Sequence, residues 1–194
     1  MTIQMDDAYK FVFRGLLTEQ ALDRAGRRTR DHGVAVDAEF VRALSLDLLD
    51  DNLVATARSM ATVYTAIAAF ENSIRSLIST VLIEQVDEEW WDKCVSEKIR
   101  KRAEAKLKEE EKFRWHSQRG QDPIYYTLMG DLVSIVRQNW DHLEPYFPSI
   151  EWVTSVLDTI ERSRNVIMHS GVLQRSDVER VGILIRDWVK QVGA

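Results

Sequence analysis

The chain has 194 residues, is 45% hydrophobic and 29% charged, and holds only three prolines and eight glycines. That composition excludes a mainly disordered chain, a collagen-like fibre and a low-complexity linker. One cysteine and four scattered histidines exclude a disulfide framework and a cysteine-built zinc site, and a formal charge of -5 argues against a general nucleic-acid coat. A small local site that grips one phosphate remains compatible with it.

The first residues show no secretory leader, since Asp6 and Asp7 come early and Lys10 and Arg14 interrupt the apolar run. No stretch approaches the roughly 20 apolar residues that span a bilayer, so the expectation is a cytoplasmic protein without membrane contact. Apolar spacing predicts a first helix over 8–25, then a basic, glycine-bounded break that includes Arg27, Arg28 and Arg30. A second helix starting near Asp37 carries Phe40, Val41, Leu44, Leu48 and Leu49. Residues 1–50 read as a helical extension and 51–194 as the main domain.

The strongest element runs from about 51 to 85 without glycine or proline, with Ile67, Phe70, Ile74, Ile78 and Leu82 on one apolar stripe. Within it, Glu71 and Arg75 are four residues apart and share a face. Asp87, Glu88 and Glu89 open another helix, which continues into a run dense in both charges; this excursion, about 87–119, reads as a helix solvated on most of its surface. A polar loop follows over 114–123. A helical pattern over 123–142 is interrupted at Gly130 and Asp131. A further helix starts at Pro148 or Ser149 and is stopped by Gly171, and Ser176 with Glu179 forms a capping box for the last one. With no strand pattern of useful length, the expectation is an all-α antiparallel bundle of four core helices, about 51–85, 123–142, 149–169 and 176–192.

The segment that carries chemistry is Glu161 to Gly171. Val153, Leu157 and Ile160 step along one face, and the next position on it is Arg164. A guanidinium on a core face needs either an internal partner or an incoming anion. Asn165 and His169 are four apart and project to similar sides. One short stretch thus gathers a fixed cation, an amide and a group that titrates near neutrality. Those groups suit cleavage of RNA without a metal or other cofactor. The histidine moves a proton on or off the ribose 2'-hydroxyl or the leaving oxygen, and the arginine holds the phosphate. The same cluster also makes structural sense, with Arg164 paired to Glu71 or Asp131 and His169 at the helix dipole.

Arg164-Asn165-x-x-x-His169, late in a helical chain, resembles the R-x(4–6)-H motif of the HEPN superfamily (higher eukaryotes and prokaryotes nucleotide-binding domains). Phe70-Glu71-Asn72-Ser73-Ile74-Arg75 resembles the acidic-polar helix of that family. Tyr126-x-x-x-Gly130-Asp131-Leu132, then Trp140, Phe147 and Trp152, resembles the middle of bacterial defence-linked members. The resemblance covers roughly residues 50–192. It implies a metal-independent endoribonuclease, active as a homodimer whose two motifs face one cleft, in a toxin or phage-defence setting with a cognate antitoxin or defence partner. It also implies catalytic roles for Arg164 and His169, with Asn165 assisting and Glu71, Asn72 and Arg75 on the rim or behind it. Relatives that have lost activity bind nucleotides, RNA or partner proteins instead. The tyrosine that follows the histidine by two residues in one toxin subgroup is replaced here by Gly171, so regulation through that tyrosine is not expected.

Overall fold

The computed structural model describes residues 39–193. The expected helix over 8–25 and the basic break after it lie outside the described residues. Every regular element among the described residues is helical, and no strand occurs there, so the fold is all-α.

The chain divides into two compact units, Met1–Val54 and Ala55–Ala194. In the first, residues 39–43 are helical and Leu46–Leu48 form a 3-10 turn entered through Ser45. Phe40, Leu44, Leu48 and Leu49, grouped by spacing as an apolar face, are all exposed.

Helix α1 (Asp51–Gln85) follows the periodic apolar stripe of its sequence. Asp50 caps it, its Oδ1 accepting from the backbone N–H of Asn52 at 2.9 Å and of Leu53 at 3.1 Å. By length and composition α1 is apolar enough to cross a membrane: an 18-residue stretch has mean hydropathy 1.3, with 17% of it buried. This departs from the expectation that no stretch reaches that length. Its stripe from Val63 to Leu82 lies in the core of the second unit, with Glu71 and Arg75 buried among the apolar residues.

The charged run forms two helices, α2 (Trp90–Cys94) and α3 (Glu97–Glu111). The break between them is held by Asn139, whose Nδ2 donates to the carbonyl of Cys94 at 2.9 Å and of Ile135 at 2.8 Å. Trp90 is buried and Trp91 half-buried. Pro123–Tyr126 is a 3-10 turn packed on α3. Then come α4 (Met129–Gln138) and α5 (Trp140–Leu143). The interruption expected at Gly130 and Asp131 falls earlier, at Thr127 and Leu128. Asp131 sits in the first turn of α4, and its Oδ2 accepts from the Leu128 N–H at 2.9 Å.

Helix α6 (Ile150–Met168) starts at Ser149, whose Oγ accepts from the Trp152 N–H at 3.2 Å. Helix α7 (Arg175–Val192) begins two residues earlier than a Ser176 cap allows, with Gln174 at the cap position. Asp177 accepts from the Gln174 N–H at 3.3 Å, while Glu179 pairs with the Arg175 side chain at 2.8 Å. Trp188 on α7 stacks on Trp152 of α6 at 5.5 Å and meets Phe70 of α1 edge-on at 5.3 Å.

The turn that ends α6 carries two separate constraints. The N–H of Gly171 bonds the Val166 carbonyl at 2.8 Å and that of Ser170 bonds the Ile167 carbonyl at 3.0 Å, a Schellman closure. The left-handed residue is Ser170, at φ 59°, rather than the glycine. Gly171 is needed for a different reason, since a Cβ there would lie 2.8 Å from the Val166 carbonyl oxygen. A serine side chain in the left-handed region costs about 1 kcal/mol relative to glycine. Ser170→Gly is therefore expected to raise stability by about 1 kcal/mol, read as a higher urea midpoint at unchanged slope.

Candidate functional site

Arg164 lies on the core face of α6, as its register with Val153, Leu157 and Ile160 requires. Its side chain is 29% exposed and its Nε pairs with Glu71 Oε2 on α1 at 3.5 Å. Its two terminal nitrogens carry no bond among the described residues. Glu71 is buried and shared: its Oε1 accepts from Arg75 Nη2 at 2.5 Å. Arg75 also donates to Asn72 Oδ1 at 3.1 Å and to the Thr127 carbonyl at 3.5 Å, and lies over the Tyr125 ring at 5.9 Å. Its Nε is buried without a partner. The structure thus gathers Glu71, Asn72, Arg75 and Arg164 into one network.

Asn165 and His169 belong to a different face. Both are exposed, and neither side chain bonds another described residue. Arg164 and His169 are five residues apart, about 140° around an ideal helix, so within one chain they do not aim at one point. On the exposed side of α6, Asn165 and His169 continue a polar stripe through Ser155, Asp158 and Arg162. That stripe borders a shallow groove against α4, where Arg137 and Arg162 stand without ion pairs among the described residues.

A second set of cations gathers around Lys106 on the helix expected to be mostly solvated, and Arg164 is one of them. On α3, Ile99 and Ala103 are buried, and Arg102, Lys106 and Glu110 beside them are half-buried. Arg102 Nη1 pairs with the buried Asp131 Oδ1 at 3.1 Å, and Arg119 Nε pairs with Glu110 Oε1 at 2.6 Å. Arg119 also lies over the Tyr126 ring at 6.0 Å. Among the described residues, Lys106 has neither a hydrogen bond nor an ion pair. Burial holds its ammonium below the ordinary lysine range, reinforced by the charges of Arg119, Arg102 and Arg164 and opposed by Asp131. The groups joined in this way are five cations (Arg75, Arg102, Lys106, Arg119 and Arg164) and three carboxylates (Glu71, Glu110 and Asp131). A local positive excess therefore sits in an acidic chain.

Sequence reasoning noted Arg102 in a basic run and Arg119 in a polar loop but did not join either of them, or Lys106, to Arg164. A signal was present: Lys106 and Glu110 extend the Ile99–Ala103 stripe at helical spacing. Among the described residues, no three His, Cys, Asp or Glu side chains come together as a metal-ligand group. Comparison of the chain with protein-family models, curated proteins and solved structures found no match.

Proposed function

We propose that the chain is a metal-independent endoribonuclease of the HEPN type that cleaves RNA through the ribose 2'-hydroxyl. The observation that carries this reading is Arg164 within a group of cations, its terminal nitrogens without a hydrogen bond among the described residues while Glu71 holds its Nε. A guanidinium oriented in this way presents two donors to a phosphate. The exposed imidazole of His169, at the end of the same helix, supplies the proton-transfer group, and Asn165 on its face orients it or the substrate.

The angle between Arg164 and His169 supports a homodimer in which each chain's histidine works beside the other's arginine. Val166, Met168 and Val172 are exposed around His169 and offer apolar surface for a second copy. In this reading α1, the segment 123–142, α6 and α7 form an antiparallel bundle of four core helices. The protein acts in the cytoplasm, in a toxin or phage-defence setting alongside an antitoxin or defence partner.

The Arg164–Glu71 pair favours a second reading. An arginine neutralised by an internal carboxylate suits an inactive module that binds nucleotide, RNA or a partner protein. Purified protein incubated with total RNA, with and without EDTA, separates the two. The nuclease reading expects cleavage that EDTA leaves unchanged, with 2',3'-cyclic phosphate ends from attack by the neighbouring hydroxyl. Binding without cleavage selects the second reading.

A further inference from the structure

Lys106 is the group that the internal pairing of the cluster leaves out. Arg102, Arg119 and Arg164 each reach a carboxylate, at 3.1, 2.6 and 3.5 Å. Lys106 reaches none among the described residues, although Asp131 is close enough to favour its charge. Lys106 is half-buried, four residues from both Arg102 and Glu110 on one face of α3, and Arg102, Arg119, Arg164 and Asp131 are close enough to act on its charge. An unpaired, half-buried cation among three other cations is unfavourable in the empty protein. Such an arrangement is relieved by an anion that several of the cations share, and the tetrahedral oxygens of a phosphate suit a point-charge ammonium beside guanidinium forks.

We propose that Lys106, with Arg102 and Arg119 beside it, forms a binding site for a phosphate group adjoining the one held by Arg164. This extends the nuclease reading by naming where a neighbouring phosphodiester of a single-stranded substrate is gripped. The site itself needs only an anion, so its chemistry is shared by a nucleic-acid backbone and by free phosphate. Asn165 and His169 take no part in it.

The test compares wild type with Lys106→Gln, using Lys98→Gln on the exposed side of α3 as a control of equal charge change. Binding of a short single-stranded oligodeoxynucleotide, which lacks the 2'-hydroxyl and is not cut, is followed by fluorescence anisotropy across a salt series. Thermal stabilisation by inorganic phosphate is measured in parallel. Lys106→Gln is expected to weaken oligonucleotide binding about tenfold and to lower the salt slope by about one, while Lys98→Gln changes neither. It should also lose the phosphate-induced rise in Tm. Its own Tm without anion should equal or exceed that of wild type, because a half-buried charge near three other cations has been removed. Phosphate stabilisation without oligonucleotide binding assigns the site to free phosphate. Lys106→Gln that binds both probes like wild type overturns the site, as does a wild type that binds neither. RNA cleavage is scored separately. Protein that binds phosphate through Lys106 but never cuts RNA keeps this site and loses only the nuclease reading.

Discussion

Glu71→Ala should cost about 3–5 kcal/mol of folding stability, the range for removing one partner of a buried ion pair. The cost comes less from the lost attraction than from what is left behind. Arg75 is buried, its Nε already lacks a partner, and its Nη2 would keep only the long contact to the Thr127 carbonyl. Arg164 would lose its one ion pair. The measurement is urea unfolding at neutral pH, where the midpoint should fall at unchanged slope. Asn72→Ala is the internal comparison. It removes the other side-chain acceptor of Arg75 at an exposed position and should cost about 1 kcal/mol. A loss below 1 kcal/mol for Glu71→Ala would mean that this carboxylate does not hold the two guanidinia. The double variant Glu71→Leu with Arg75→Met should recover much of the loss, because it removes the buried charges together.

His169→Ala should lower RNA cleavage about 100- to 10,000-fold, the range for a positioned general acid or base. The side chain is exposed and bonds no described residue, so the fold should persist, with far-UV circular dichroism and Tm close to wild type. Arg164→Ala should lower cleavage about 100- to 1,000-fold by removing two donors to the phosphate. It should also shift stability modestly, since Glu71 keeps Arg75 as a partner. Mixing the two inactive variants offers a sharper check. If each active centre takes its arginine from one copy and its histidine from the other, the mixed dimer contains one intact pair and regains part of the activity. Cleavage that survives His169→Ala would remove the histidine from the chemistry.

The long helix was legible because apolar residues recur at three- and four-residue steps through 35 positions, and no local signal competes with them. Arg164 was legible for the same reason. It continues the stripe of Val153, Leu157 and Ile160, and both of its candidate partners, Glu71 and Asp131, lie in the cluster that surrounds it. The pairing with Glu71 rather than Asp131 was not legible, because it depends on Arg102 claiming Asp131 from a helix distant in sequence. Lys106 was hidden by its company. In a run where most residues are charged, composition favours a solvated face, and only two buried residues, Ile99 and Ala103, mark the inward side. The cap of α7 was legible in kind and misplaced by two residues, since Gln174 stands where Ser176 was expected. Ser176-x-x-Glu179 has capping-box spacing, but Glu179 is taken by Arg175 and the acid at Asp177 does the capping. The membrane expectation rested on counting uninterrupted apolar residues, whereas α1 reaches its mean hydropathy through alanines spaced among polar residues.

The aromatic contacts of Trp188 give the molecule an optical reporter next to its candidate site. Phe70 and Glu71 are chain neighbours on α1, so a shift of the helix around Glu71 moves the ring that meets Trp188 edge-on. Trp152 and Trp188 are stacked nearly parallel, with an interplanar angle of 14°, a geometry in which their transitions couple. Trp115, at 83% exposed, emits from water in the red-shifted part of the same spectrum. If an anion binds at Arg164 as proposed, its binding can therefore be followed without a label, as a change in the buried, blue-shifted part of the emission.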